Sequence, residues 1–198
     1  IQPMGGLVSL FGSLAPQGAI LKRSAADPKL FETEGRAVVF SSLEDLSLRI
    51  DDPTLDVEEN DILILQNAGP RSDAAMPEAG YLPIPKKLAS VGVKDMVRIS
   101  DARMSGTAYG TIVLHVTPEA AVGGPLALVK NGDRIKISVK NRSLDLLISE
   151  EEMQNRLKQL QIKSPPAYHR GYKKLYYDTV LQADGGCDFD FLRDPSLL

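Results

Sequence analysis

The sequence predicts an α/β domain in which a β-rich, barrel-like sheet is flanked by a few helices. Short strand-forming segments recur along the chain, and several are uninterrupted apolar runs, which are typical of strands covered on both faces. Helix signals are fewer and shorter. At 198 residues, the chain is long enough to bury roughly 70% of its unfolded surface. A single large core is therefore expected.

The strand signal appears between residues 37 and 148, whereas residues 1–30 carry Gly, Pro and Ser at turn-like spacing and predict no periodic element. The predicted strands are Ala37–Phe40, Asp61–Gln66, Asp95–Ile99, Thr111–His115, Leu126–Lys130, Arg134–Val139 and Leu144–Ile148. Asn131-Gly132 lies between two apolar runs, and this dipeptide favours a hairpin. The last three strands are therefore predicted to form an antiparallel meander.

Helices are predicted where an apolar period of about 3.6 residues coincides with start or stop signals. Ser149 and Glu152 form a capping box, in which each side chain satisfies a backbone N–H group of the first helical turn. Gly92 follows another helical pattern, at the position where glycine commonly ends a helix. The predicted helices are Ser42–Arg49, Pro83–Val91, a helix from Ser149 through Leu160, and Tyr168–Ala183.

Composition and charge exclude several classes of function. The net charge is −3 and the pI is about 5.5, so neither nucleic acid nor an anionic membrane is expected as a partner. Cys187 is the only cysteine, which rules out an internal disulfide and a metal site built from cysteines alone. A reducing, cytoplasmic compartment is expected. The first residues, Ile1–Gly6, are typical of the middle of a longer polypeptide.

Four segments place glycine, proline and polar residues where a core needs apolar ones. They comprise residues 12–22, 67–78, 100–107 and 115–125. Predicted strands lead into the second and third segments, so Glu78 and Ser105 face one pocket if those strands are neighbours. A carboxylate suits Mg²⁺, and a serine hydroxyl becomes a base only when a nearby cation lowers its pKa. Tight turns with capping polar side chains remain the alternative at this point.

The same segments resemble, in order, the C-terminal signatures of the dihydroxy-acid dehydratase and 6-phosphogluconate dehydratase family. The matching stretches are Gly12–Lys22, with Ser13 in place of asparagine, Gly69-Pro70 with Met76-Pro77-Glu78, Asp101–Gly106, His115–Pro125 with Gly132-Asp133, and Arg170-Gly171-Tyr172. The resemblance covers nearly the whole chain.

Within that family, Asp101–Gly110 is similar to the sugar-acid branch, the L-arabonate and D-xylonate dehydratases. Asn67–Pro70 and Gln182-Ala183-Asp184 favour the same branch. Residues Arg71–Ala75 depart from the family pattern, which has Lys-Gly-x-Pro-Gly there. The lost glycines restrict the backbone of this loop.

The resemblance implies the C-terminal domain of a larger dehydratase, of the swivelling β/β/α type. Residues 1–165 would form the body, and residues 166–198 a C-terminal helix and tail. The implied enzyme is a hydro-lyase that converts a sugar acid (a pentonate) to a 2-keto-3-deoxy acid, acting as a homodimer or tetramer. It would use an iron–sulfur cluster, expected to be 2Fe–2S, and Mg²⁺, held largely by its own N-terminal domain. The chain alone is therefore expected to be inactive.

The resemblance also assigns roles to single residues. Ser105 would be the catalytic base, as an alkoxide, and Glu78 a Mg²⁺ ligand. Thr107 and Arg103 would bind substrate, although a structural role for Arg103 is an equal alternative. By contrast, His115 is expected to be packed or hydrogen-bonded. A solvated Lys22 is favoured, with a position near the site as the alternative.

Two other functions remain open. One is a dihydroxy-acid dehydratase of branched-chain amino-acid synthesis, for which a mitochondrial location is also compatible. The other is a non-catalytic homologue that supports oligomerisation, an alternative favoured by the altered loop Arg71–Ala75. The presence of both Glu78 and Ser105 argues against this last alternative, because a decayed site has no physical need for that pair.

Overall fold

The structure, a computed structural model, describes residues 5–78, 82–106, 108–162 and 168–193. Its strands are β1 (Val8–Leu10), β2 (Gly18–Leu21), β3 (Glu32–Phe40), β4 (Ile62–Leu65), β5 (Arg98–Ser100), β6 (Ile112–Thr117), β7 (Arg134–Ser138) and β8 (Ser143–Leu146). Its α-helices are α1 (Leu43–Arg49), α2 (Lys86–Ser90), α3 (Glu150–Gln159) and α4 (Gly171–Thr179). None of these helices is long and apolar enough to cross a membrane.

The strands form one eight-stranded sheet in the order β1-β2-β6-β5-β4-β3-β7-β8. The central strands β3, β4, β5 and β6 are parallel to their neighbours within this group. A pair of antiparallel strands extends the sheet on each side, β2 and β1 beside β6, and β7 and β8 beside β3. The carboxyl ends of the parallel strands therefore meet at one edge of the sheet.

The two outermost strands approach each other and nearly close the sheet into a barrel. The Phe11 N–H donates to the Arg142 carbonyl at 2.9 Å, and the Leu144 N–H donates to the Phe11 carbonyl at 2.9 Å. A Cβ added at Gly12 would lie 2.3 Å from the Leu144 carbonyl oxygen, so this close approach requires glycine. Ser13 lies at the same seam, where its hydroxyl accepts from the Leu146 N–H at 2.9 Å. The predicted β-rich, barrel-like α/β domain is confirmed.

Two apolar cores lie on opposite faces of the sheet. One contains residues from every strand and fills the barrel, and the other lies beneath α1. β4 shows the division, because Ile62 and Ile64 belong to the first core and Leu63 and Leu65 to the second. Alternate residues of a strand point to opposite faces. The uninterrupted apolar runs therefore correctly predicted strands buried on both sides.

The prediction that residues 1–30 contain no regular element is wrong. β1 and β2 pair in antiparallel fashion, with Val8 opposite Leu21 and Leu10 opposite Ala19. β1 is only three residues long, too short for an alternating pattern to be recognised. Both strands are stabilised by the barrel interior, which buries Leu10, Ala19 and Leu21, and not by local propensity.

The predicted three-stranded meander is also wrong in its first member. β7 and β8 pair as expected, but residues 125–128 form a 3-10 helix with Pro125 in its first turn. The carbonyls of Leu126 and Val129 accept from the buried Gln66 side-chain amide at 2.7 and 3.1 Å. β7 pairs with β3 instead, so a long-range pairing replaces the predicted local one.

The helices lie where they were predicted but are shorter. α3 begins after Ser149, whose hydroxyl accepts from the Glu152 N–H at 3.1 Å, so the predicted N-cap is confirmed. α4 ends at Thr179 because Val180 is extended, with ψ at 131°.

The predicted strand from Asp95 begins three residues later, at Arg98, since the Asp95 carboxylate instead accepts from the N–H and hydroxyl groups of Thr111.

The N-cap of α1 supports a stability prediction, because this helix packs Leu46 into the core. The Ser42 hydroxyl accepts from the Asp45 N–H at 3.2 Å. Removing it in Ser42→Ala leaves that N–H group without its cap, so we expect the free energy of unfolding to fall by about 1 kcal/mol. Ser47→Ala is the control on the same helix, since the exposed Ser47 caps no N–H group. Denaturant unfolding checks both variants, and equal stabilities would contradict the prediction.

Candidate functional site

The loops that carry Glu78 and Ser105 lie side by side. They follow the carboxyl ends of β4 and β5, which are adjacent and parallel, with Leu65 opposite Ser100. The Arg103 N–H donates to the Pro77 carbonyl at 3.2 Å, and Glu78 and Arg103 form an isolated parallel bridge. The condition stated from the sequence, that these two strands are neighbours, is therefore met. In parallel α/β sheets, ligands commonly bind beyond this end of the strands.

The side chains predicted to form the site differ in exposure. Glu78 and Ser105 are both half-buried, whereas Arg103 is exposed. The Ser105 carbonyl accepts from the Ala108 N–H at 3.2 Å, which closes a turn directly after Ser105. Thr107 lies outside the described residues. The backbone bridge places Arg103 directly beside Glu78, and the exposed Arg103 guanidinium remains compatible with either a substrate-binding or a structural role.

His115 holds the loop that carries Ser105. Its N–H donates to the Ala102 carbonyl at 3.0 Å, and its Nε2 accepts from the Met104 N–H at 3.0 Å. Burial, and then the charge of Arg103, lower the pKa of His115. An imidazole that accepts at Nε2 must be neutral there, so both effects agree with the geometry. The expectation that His115 is hydrogen-bonded and packed is confirmed.

This contact makes stability depend on pH. The pKa of His115 in the folded chain lies below its ordinary value of 6.5, so protons bind the unfolded chain more readily. His115 therefore contributes stability above pH 6.5 that is lost as the pH falls, with a slope of at most about 1.4 kcal/mol per pH unit. We expect His115→Gln to flatten the profile of unfolding free energy between pH 7 and pH 5.

The matched control is His169→Gln, because His169 is exposed and is the other of the two histidines in the chain. It should leave the slope unchanged. A profile for His115→Gln that follows the wild type over the same range would contradict the assignment.

Asp101 connects three loops beneath the site. Its carboxylate is fully buried and accepts from the Ala68 N–H at 2.8 Å and from the Ala120 N–H at 2.9 Å. Burial raises the pKa of Asp101 to about 7, although the two N–H donors favour the ionised form. Asp101 thus ties the loops after β4, β5 and β6 together, which gives the first residue of the Asp-x-Arg-x-Ser-Gly motif a structural role.

Glu119 is a second buried carboxylate, between the loop after β4 and the C-terminal segment. Both of its oxygens accept from the Arg71 N–H, at 2.9 and 3.0 Å, and Gln182 donates to it at 2.5 Å. Burial raises the pKa of Glu119. A Cβ at Gly69 would lie 2.2 Å from the Glu119 carboxylate, so the glycine of this loop is needed for the contact.

The C-terminal segment contacts the loop that departs from the family pattern. The Tyr177 hydroxyl donates to the Ser72 carbonyl at 3.1 Å, and Arg71 Nε donates to the Val180 carbonyl at 3.2 Å. Ala75 adopts a left-handed conformation, with φ at 50°, although it is not glycine. The surrounding contacts therefore impose on Ala75 a conformation that glycine adopts at less cost.

Lys22 is not the solvated residue that was expected. Its ammonium group donates to the Gly106 carbonyl at 2.5 Å and to the Ala108 carbonyl at 3.4 Å, and the side chain is half-buried. The alternative, a position near the site, agrees better with this contact to a segment 84 residues away. Lys22 lies against the loop that carries Ser105.

The described ranges contain no group of three His, Cys, Asp or Glu residues arranged to hold a metal ion. Glu78 is therefore not part of such a group among these residues. Cys187 lies beside the Met76 sulfur at 3.3 Å, and burial raises the pKa of its thiol. A cleft lined by Gln17, His115 and other residues lies beside β2, but neither Glu78 nor Ser105 lines it.

Comparison with known proteins places these loops in a family. Residues 1–187 match the model described as dihydroxy-acid/6-phosphogluconate dehydratase C-terminal. The chain belongs to this dehydratase family. The match spans the Glu78 and Ser105 loops together with the buried carboxylates Asp101 and Glu119, so the geometry described above is that of a dehydratase C-terminal domain.

The relatives within this dehydratase family include enzymes of both branches. The chain is 51% identical over 193 residues to an L-arabonate dehydratase of Azospirillum brasilense, covering 95% of the chain and 33% of the relative. It is 51% identical over 187 residues to a 6-deoxy-6-sulfo-D-gluconate dehydratase of Pseudomonas putida (94% and 32%). It is 41% identical over 186 residues to a dihydroxy-acid dehydratase of Carboxydothermus hydrogenoformans (93% and 33%). The chain therefore spans about a third of the length of the curated relatives it matches.

Proposed function

We propose that the chain is the C-terminal domain of a hydro-lyase that dehydrates a sugar acid to a 2-keto-3-deoxy acid. The observation that carries the proposal is the backbone bridge between Glu78 and Arg103, which brings the loop of the proposed carboxylate ligand, Glu78, next to the loop of the proposed base, Ser105. The sugar-acid branch is supported by the higher identity to sugar-acid dehydratases, 51% against 41% for the dihydroxy-acid dehydratase.

The proposed reaction removes the C2 proton and the C3 hydroxyl of a 2,3-dihydroxy carboxylate. Ser105 Oγ, as an alkoxide, takes the C2 proton as the C3–O bond breaks, and the proton then passes from Ser105 to the departing hydroxide, which leaves as water and restores the alkoxide. The resulting enol tautomerises to the 2-keto-3-deoxy acid. Arg103 and Thr107 are proposed to bind the substrate. Because the C2 proton is weakly acidic, the rate depends on how well charge is stabilised in the transition state.

The described residues fit Mg²⁺ only in part. The half-buried carboxylate of Glu78 is a suitable oxygen ligand, but Mg²⁺ prefers six oxygens in octahedral geometry, and the described residues contain no group of three His, Cys, Asp or Glu side chains that could hold a metal ion. When bound, Mg²⁺ would stabilise negative charge on the substrate oxygens. The remaining ligands are proposed to come from the N-terminal domain.

An iron–sulfur cluster does not fit this chain. Such clusters are held mainly by several cysteine thiolates, and Cys187 is the only cysteine present. Its thiol is paired with the Met76 sulfur and has a raised pKa, which disfavours the thiolate. The proposed 2Fe–2S cluster would therefore be held by the N-terminal domain. The proposed active enzyme is a homodimer or tetramer of the full-length protein.

A substrate profile tests this function. The full-length protein, prepared without oxygen and supplied with Mg²⁺, would be given L-arabonate, D-xylonate, D-gluconate and 2,3-dihydroxyisovalerate, and keto-acid formation would be followed. We expect turnover of one or both pentonates. Turnover of 2,3-dihydroxyisovalerate alone would place the protein in branched-chain amino-acid synthesis. Absence of turnover with every acid would favour a non-catalytic homologue.

A further inference from the structure

The contact between Lys22 and the Ser105 loop joins two distant parts of the chain. Lys22 directly follows β2, and its ammonium group donates to the carbonyls of Gly106 and Ala108. Ordering a lysine side chain costs rotamer entropy. The half-buried Lys22, which binds two carbonyls of one loop, bears this cost, whereas a solvated surface lysine keeps its rotamer freedom. Both carbonyls belong to the segment directly after Ser105.

Side-chain packing does not restrain Gly106 within this segment. A Cβ placed at Gly106 would have no neighbour within 4 Å, and glycine has the widest backbone freedom of all residues. On the other side of Ser105, the Met104 N–H is held by His115. Farther along, the Gly110 N–H donates to the Ala25 carbonyl at 2.9 Å. Lys22 thus supplies the side-chain contact that restrains the glycine next to Ser105.

We propose that Lys22 is a positioning residue for Ser105, a role that rests on the proposed dehydratase function. By binding the Gly106 and Ala108 carbonyls, Lys22 fixes the backbone direction from which the Ser105 hydroxyl projects. It also brings a full positive charge to the loop on which Ser105 becomes an alkoxide. Lys22 touches neither the substrate nor the reacting atoms in this proposal, so it acts on the proton-transfer step through Ser105.

The test uses the full-length protein with its cofactors and compares Lys22→Met, Lys22→Arg and the control Lys29→Met. Lys29 is exposed and lies close to Lys22 in sequence. Kinetic constants would be measured with the preferred sugar acid and with the same acid deuterated at C2. Because misplacement by about 1 Å costs about 10²-fold, we expect Lys22→Met to lower kcat by about that factor and to change KM by less than about threefold.

The isotope effect separates positioning from folding. If Lys22 positions the base, proton transfer becomes slower in Lys22→Met, and the primary deuterium effect on kcat rises above that of the wild type. The kcat of Lys22→Arg should be at least about tenfold higher than that of Lys22→Met, because a guanidinium also donates to carbonyls. A smaller folded fraction would lower kcat without changing the isotope effect.

Three results would overturn the proposal. The first is a Lys22→Met enzyme with the kcat of the wild type, which leaves the dehydratase function intact. The second is a lowered kcat with an unchanged isotope effect and no recovery in Lys22→Arg, which indicates a merely structural lysine. The third is a wild type that turns over none of the acids, which removes the proposed function together with the role of Lys22.

Discussion

Ser105→Ala in the full-length protein is expected to lower kcat for sugar-acid dehydration by at least about 10³-fold, within the range that a positioned base contributes. The substitution removes the hydroxyl proposed to take the C2 proton. The hydrogen bond from the Ala108 N–H to the Ser105 carbonyl involves only backbone atoms, so the substitution retains this turn and the backbone of the loop. KM should change little, because the hydroxyl acts in the transition state. Steady-state kinetics with L-arabonate or D-xylonate measure both constants.

The control for this variant is Ser90→Ala. The Ser90 hydroxyl is exposed on α2 and donates to the Lys87 carbonyl of the same helix at 2.9 Å. Its loss should leave kcat unchanged. If Ser105→Ala retained more than a tenth of the wild-type kcat, Ser105 would not be the base.

Glu78→Gln is expected to lower the affinity of the full-length protein for Mg²⁺ by about 10²-fold or more. Even changes next to metal ligands cost about 10–100-fold in affinity. The amide keeps the size of the carboxylate but removes its negative charge, which a hard cation prefers. The half-saturating Mg²⁺ concentration should rise, and excess Mg²⁺ should restore part of the activity. Activity titrated against Mg²⁺ in the full-length protein measures the change.

Glu59→Gln serves as the control for the loss of charge, because Glu59 is exposed and lies before β4, away from the Glu78 loop. Its half-saturating Mg²⁺ concentration should equal that of the wild type. An unchanged half-saturating concentration in Glu78→Gln would mean that Glu78 is not a ligand.

The parts of the fold that depend on local patterns were predictable from the sequence. The apolar run of β4 predicted a strand buried on both faces, and Ser149 with Glu152 predicted the start of α3. The errors involve contacts between distant residues. β7 pairs with β3 and not with residues 126–130, and the barrel closes through Phe11 and Ser143. Neither contact leaves a signal in any short window of sequence.

The same distinction holds for the candidate site. Glu78, Ser105 and Arg103 were proposed because they lie in recognisable motifs, but the adjacency of their loops could only be stated as a condition, since the order of the strands in the sheet was not predicted. Asp101 and Glu119 belong to the same motifs, but their role in holding loops together depends on burial and on N–H partners from distant loops. Lys22 was misjudged for the same reason, since a lysine after a short strand looks solvated until its partner loop is known.

We propose that this chain supplies only part of an active site, with the base on the Ser105 loop and one metal ligand on the Glu78 loop. The most direct test measures keto-acid formation from L-arabonate by the full-length protein and by the 198-residue chain. Both would be prepared without oxygen and given the same reconstituted iron–sulfur cluster and Mg²⁺. We expect turnover by the full-length protein and none by the 198-residue chain. A chain that reaches the full-length rate, or a full-length protein without turnover, would contradict the proposal.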